Sequence, residues 1–147
     1  MKININLQAL FDIINLKNKI FYPVTNFMGK REIESVAENF IFKSKFFFPI
    51  PISFSTNQKK IYEFKYKKIR IFYKNKFICN LIPTEIFSFN KKENKNLIKK
   101  IYGTDDKLHP GVKFFLKNKI FIKSKIYNFN SELLQKYKSN SFKKKNK

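Results

Sequence analysis

The chain has little of what most active sites are built from: one histidine, one cysteine, two arginines, three glycines, ten acidic residues and no tryptophan in 147 positions. Each shortage excludes something. Cys79 has no second cysteine to pair with, so no internal disulfide holds the fold, and a reducing, cytoplasmic setting is expected. At this length none is needed, because such a domain buries about 68–70% of its unfolded surface. A metal centre draws on several His, Cys, Asp or Glu side chains, and one His, one Cys and the Asp105–Asp106 pair are a poor set, so neither metal nor cofactor is expected. No G-x-x-x-x-G-K-[ST] or G-x-G-x-x-G is present, which removes both common phosphate loops. No run approaches the ~18 apolar residues of a membrane span. Met-Lys-Ile-Asn-Ile-Asn-Leu at the start lacks the apolar core and small-residue cleavage site of a signal peptide.

What is present is lysine, asparagine, isoleucine and phenylalanine. Phe, Tyr, Ile, Asn, Lys and Met fill 95 of the 147 positions, whereas Gly, Ala, Arg and Pro fill 12. The first set has AT-rich codons and the second GC-rich ones, so a mutational bias in the gene is enough to produce the balance. The net charge of +22 is therefore weak evidence for a nucleic-acid or membrane partner. Arginine, the residue suited to bidentate phosphate and base contacts, is the cation in short supply, as Arg31 and Arg70 alone. The 19 Phe and 7 Tyr follow the strand pattern as core residues, whereas a base-stacking platform requires exposed rings beside arginine.

Periodicity lays out an α+β chain, mainly β. Leu7, Leu10, Phe11 and Ile14 predict a helix over 7–17, and Ile33, Val36, Ala37 and Phe40 a second from Lys30 to about Phe40. Phe46 to Phe54 alternates as a strand confined to a sheet edge by Pro49 and Pro51. Further strands are expected at 61–64, 68–73, 77–81 and 85–89, with a hairpin turn at Lys74–Lys76 and an interruption at Pro83. Helices at 91–101 and 110–116 and a strand at 120–127 follow. Ser131 is expected to cap a last turn through Tyr137, and 138–147 reads as a basic, disordered tail after a single domain of 1–137. Short strands at close spacing suggest a small β-barrel with peripheral short helices. Cys79 is expected to pack as a small hydrophobe.

Two of the three glycines, the only histidine and a proline crowd into Tyr102-Gly103-Thr104-Asp105-Asp106-Lys107-Leu108-His109-Pro110-Gly111. Positive φ or close approach calls for glycine, and Pro110 suits a first helical turn. An ordered turn leading into a short helix is expected, with His109 and the paired acids as caps and not catalysts.

Three segments resemble ATP sulfurylase (sulfate adenylyltransferase). Tyr22-Pro23-Val24-Thr25-Asn26-Phe27-Met28-Gly29-Lys30, running on through Glu34-Ser35-Val36-Ala37-Glu38-Asn39, is similar to that family's S-P-L-x-G-F-M-G-K…Y-E-S-V-x-E-N. Phe48-Pro49-Ile50-Pro51-Ile52 is similar to its W-P-I-P-I, and Tyr102-Gly103-Thr104-Asp105 with His109-Pro110-Gly111-Val112 to its Y-G-T-x-D-x-x-H-P-G-V. The segments keep the family's order and span residues 10–127. Asn26 replaces the glycine before Phe-Met, Lys19 replaces a small residue, and Ser124-Lys125 replace a Gly-Gly-Pro.

The resemblance implies the family's N-terminal domain, a PUA-like β-barrel that in the family packs on a nucleotidyltransferase domain and takes part in subunit contacts. The family joins ATP and sulfate to give adenylyl sulfate and pyrophosphate, using Q-x-R-N, H-x-x-H and G-R-D-H signatures of the other domain. None occurs here, so a non-catalytic component of a split enzyme, or a truncated remnant, is the implied role. No catalytic, cofactor or metal residue is assigned, and the structural motif residues are Pro23, Phe27, Met28, Gly29, Pro49, Pro51, Tyr102, Gly103, Thr104, His109, Pro110 and Gly111. The partner is a separately encoded catalytic domain or a further copy of the chain, without a membrane. The alternative is a basic PUA-like module that binds RNA.

Overall fold

The computed structural model describes residues 1–117, 120–133 and 135–136, and the expected tail at 138–147 lies outside them. Five strands form one curled sheet, β1 (Lys2–Asn4), β5 (Ile69–Tyr73), β6 (Lys76–Phe87), β7 (Ile120–Tyr127) and β4 (Phe54–Thr56), side by side in that order. β1 runs parallel to β5 and the other neighbours are antiparallel. The sheet curls into a half-barrel, with β1 and β4 as its two edges and no pairing between them among the described residues. The small barrel suggested by strand spacing is thus an open one.

Helices α1 (Leu7–Lys17), α2 (Lys30–Asn39), α3 (Lys91–Tyr102) and α4 (Pro110–Lys117) stand where the apolar stripes predict them. The buried residues are Leu10, Ile13 and Ile14 on α1, Ile33, Val36 and Ala37 on α2, Leu97 and Ile98 on α3, and Val112 and Phe115 on α4, whereas Leu7 and Phe11 of the expected α1 stripe and Phe40 of the α2 stripe are exposed. The concave face of the sheet holds Ile3, Ile69, Ile71, Leu81 and Ile122. On the convex side, Phe121 contacts Phe87, Phe89 and Phe115 at ring separations of 5.7, 5.2 and 5.2 Å. Burying each such ring contributes about 2–3 kcal/mol, so this cluster fastens α4 to β6 and β7.

Several expected elements differ. The strand over Phe46–Phe54 is instead a two-residue ladder, β2 (Ile41–Phe42) with β3 (Phe46–Phe47), then irregular chain, then β4. Pro49 and Pro51 remove the N–H groups a ladder would use, and β4 forms only after them, as an edge strand. Ile61–Phe64 lies in a 3-10 helix over Lys59–Phe64, because the fully buried Ile61 is held by a turn bond to the Gln58 carbonyl at 3.1 Å. The two strands separated at Pro83 are one strand, β6, with a register shift between Pro83 and Glu85 that accommodates the missing donor. β1 has no counterpart in the expected elements. Asn130, not Ser131, caps the last turn, its Oδ1 accepting from Leu133 N–H at 3.3 Å.

A chain so short of glycine places other residues at positive φ: Lys19, Phe40, Lys43, Ser44, Tyr66, Lys74, Asn75 and Asn128. Lys74 and Asn75 at +46° and +64° give the paired positive dihedrals that a tight hairpin favours. Lys19, where the family resemblance has a small residue, sits at +60°. Asn26 does not occupy that region; its Oδ1 accepts from Ile126 N–H at 3.3 Å and ties its loop to β7.

Candidate functional site

The motif residues fall in two groups, the loop before α2 with the Pro49–Ile52 segment and the corner between α3 and α4. The loop 22–29 enters α2 with Phe27 bridged to Ser124 of β7 and packed on Phe54 at 5.3 Å. Pro23 follows a cis peptide and precedes the fully buried Val24. Met28 N–H donates to the Ile52 carbonyl at 2.9 Å, and Ile52 N–H reaches Met28 Sδ at 3.5 Å. Two segments distant in sequence are joined there, the second fixed by Pro49 and Pro51.

Gly29 is favoured by close approach of two side chains and not by φ, which is −81°. A Cβ there would lie 2.9 Å from Lys123 Cδ and 3.1 Å from Glu85 Oε1. Into that space Glu85 accepts from Lys30 N–H at 2.8 Å, while Glu32 accepts from Gly29 N–H at 2.9 Å and pairs with Lys123 Nζ at 3.2 Å. The N-terminus of α2 is thus held by two carboxylates, one from its own first turn and one from the bulge in β6. Lys30 Nζ pairs with Glu93 at 3.5 Å, and Asn90 caps α3 through Glu93 N–H. The backbone bond from Asn90 is the main reason the Glu93 carboxyl is held below its usual range.

The corner at 102–111 is closed by its own side chains. Gly103 ends α3 at φ +72° with its N–H on the Lys99 carbonyl. Thr104 Oγ1 accepts from Asp106 N–H at 3.1 Å and Asp106 Oδ1 from Leu108 N–H at 2.9 Å. His109 Nδ1 accepts from Gly111 N–H at 3.1 Å and from Val112 N–H at 3.4 Å, so the ring caps α4, which Pro110 begins. The Tyr102 ring lies tilted beside it at 5.3 Å, and a Cβ on Gly111 would strike the Tyr102 ring at 2.5 Å. Burial raises the Tyr102 phenol above its ordinary value.

A catalytic reading finds no support in this geometry. Among the described residues no group of three or more His, Cys, Asp or Glu could hold a metal. The one imidazole caps a helix through Nδ1, and burial pushes the Cys79 thiol up to about 12, which leaves no thiolate at neutral pH. One group escaped notice in the sequence. Burial raises Asp12 to about 6, with a 3.2 Å bond from Gln8 Nε2 pulling the other way. It lines a cleft of about 380 Å³ between the edges β1 and β4. Nothing but its place in an amphipathic helix could have signalled it.

A family profile for the PUA-like domain matches residues 1–128. The chain belongs to the PUA-like domain family. Among curated relatives, the sulfate adenylyltransferase of Entamoeba histolytica is 31% identical over 125 residues, covering 82% of this chain and 29% of the relative. The sulfate adenylyltransferase of Ruthia magnifica is 31% identical over 111 residues, covering 76% and 27%. This PUA-like chain therefore spans less than a third of the length of those relatives. Among solved structures, the hexameric APS kinase from Thiobacillus denitrificans superposes with a TM-score of 0.57 at 9% identity, over 85% of this chain and 20% of that one. That likeness concerns the fold alone. No helix among the described residues is long and apolar enough to cross a membrane.

Proposed function

We propose that this PUA-like domain is the N-terminal, non-catalytic component of a sulfate adenylyltransferase, docking on a nucleotidyltransferase domain supplied by another chain. The observation that carries the reading is the assembly at the helical end. Two family-like segments meet there through Met28–Ile52, the start of α2 is held by Glu32 and Glu85, and α3, which leads into the third segment, is tied to α2 by Lys100–Glu38, so the polar groups named are used to hold the fold. The reaction of such an enzyme brings sulfate to the α-phosphate of ATP and concentrates negative charge, which calls for clustered Arg and His donors. This chain has two scattered arginines and one histidine engaged as a cap.

A surface for the partner is supported by the hairpin of β2 and β3. Phe40, Ile41, Phe46, Phe47 and Ile50 are all exposed there, Phe47 at 77%, a concentration of apolar surface that favours association. Purified alone, the chain releases no pyrophosphate from ATP in the presence of sulfate. Mixed with a chain that carries Q-x-R-N and H-x-x-H, it co-elutes as a complex, and Phe47→Ser abolishes co-elution. Sulfate-dependent pyrophosphate release by the purified chain would overturn the reading.

A further inference from the structure

We propose that the cleft between β1 and β4 binds an extended peptide segment, whose main chain pairs with the free edge of β1 and whose lysine or arginine meets Asp12. Both sides of the cleft are sheet edges, β1 beside β5 and β4 beside β7, with no strand on their outer sides among the described residues. The Met1 carbonyl accepts from Arg70 N–H at 3.0 Å, and Ile5 N–H donates to the Phe72 carbonyl at 2.8 Å. In a parallel ladder every second residue bonds the same neighbour, so Ile3 faces β5 as well. The N–H and C=O groups of Lys2 and Asn4 then point away from β5. Such an outward row is a template for an added strand, which sits about 4.8 Å from its neighbour.

The lining of the cleft says what that strand carries. Its volume of about 380 Å³ is that of a small ligand site, and Ile3, Phe54 and Phe114 give it an apolar part. The charged side chains in the lining are Asp12, half-buried on α1, and Lys117, exposed at the end of α4. Asp12 Oδ1 accepts from Gln8 Nε2 at 3.2 Å, and no cation pairs with Asp12 among the described residues. The chain has 32 lysines and arginines, and Glu32, Glu38, Glu93 and Asp105 each take a lysine. Burial raises Asp12 to about 6, so at neutral pH it is an ionised carboxylate short of hydration. A ligand ammonium or guanidinium would relieve that state through a charge-assisted hydrogen bond. A small organic cation would satisfy Asp12 and leave the strand edges unpaired, whereas a neutral strand would do the reverse. An extended peptide with one basic side chain answers both.

The test is fluorescence anisotropy of a labelled, acetylated and amidated peptide, Ser-Val-Thr-Lys-Thr-Val-Ser, titrated with the full chain at neutral pH. Saturable binding is expected, and Asp12→Asn weakens it at least about fivefold, the low end of what a charge-assisted hydrogen bond contributes. Asp12→Asn removes a half-buried charge that has no cation, so the variant folds and the loss reports on the ligand. The same peptide with glutamine in place of lysine binds the parent chain as weakly and does not distinguish it from Asp12→Asn. Asn4→Pro deletes an outward N–H that β5 does not use and also weakens binding at least about fivefold. A peptide with proline in place of both threonines makes the same measurement on the unaltered protein. Glu38→Gln, an acid on α2 outside the cleft lining, changes affinity less than twofold. The proposal fails if the parent chain ignores the peptide, or if Glu38→Gln costs as much as Asp12→Asn. It fails equally if the proline peptide binds as tightly as the first, or if acetyl-lysine amide competes as well as the whole peptide.

Discussion

The two ends of the sheet treat their lysines in opposite ways. At the helical end, all four ion pairs among the described residues link α2, α3, the corner after it and β7: Lys30–Glu93, Lys99–Asp105, Lys100–Glu38 and Lys123–Glu32. At the open end, Lys2 and Arg70 rest on an aromatic ring with no carboxylate as partner. A charge spread evenly along the sequence is therefore uneven in space. Carboxylates neutralise it where the family-like segments build structure and leave it free where strand register exposes a ring-lined face. Net charge alone would have assigned both ends the same role.

The comparison can be broken by substitution. Gly111→Ala, at the helical end, drives a Cβ into the Tyr102 ring and is expected to destabilise the fold by about 1–3 kcal/mol in a urea titration, the usual cost of overpacking. Glu32→Ala removes the bond to Gly29 N–H and the pairing with Lys123, and is expected to cost about 1–2 kcal/mol by the same measurement. An unchanged midpoint in either would mean that the helical end is not built on these contacts. Asp12 belongs to neither end and has no cation as partner among the described residues. Its folded value of about 6, against 3.8, means the native state binds the proton more readily. That contribution is fully present below about pH 4 and is lost as pH rises through about 6. Asp12→Asn is then expected to raise stability at pH 7 by on the order of 1 kcal/mol, discounted for partial exposure, with the gain vanishing near pH 4. Smallest of all, Arg70→Gln should move stability by less than about 0.5 kcal/mol, because an exposed cation at the open end supports no fold.

Sequence periodicity reached the helices because their stripes are one-dimensional: Ile33, Val36 and Ala37 need no knowledge of a partner. It failed where the partner decides. Phe46 to Phe54 alternates like a strand, yet two prolines interrupt it, so that Phe46–Phe47 pairs with β2 and Phe54 onward with β7. Ile61 to Phe64 has strand-forming residues but turns over a buried isoleucine. β1 offers one apolar residue in three positions, too few to register. The corner was legible because its glycine, histidine and proline have few alternative uses. The row across the sheet was not, since only pairing of β1, β5, β6 and β7 aligns Lys2, Arg70, Asn80 and Tyr127, which lie far apart in sequence.

The proposed role is tested most directly by assaying sulfate-dependent pyrophosphate release from ATP by this chain, by a chain that carries Q-x-R-N and H-x-x-H, and by the two mixed. The expected result is no release by this chain alone, and co-elution of the two chains with release by the mixture. Release by this chain alone, or two chains that elute separately, would contradict it.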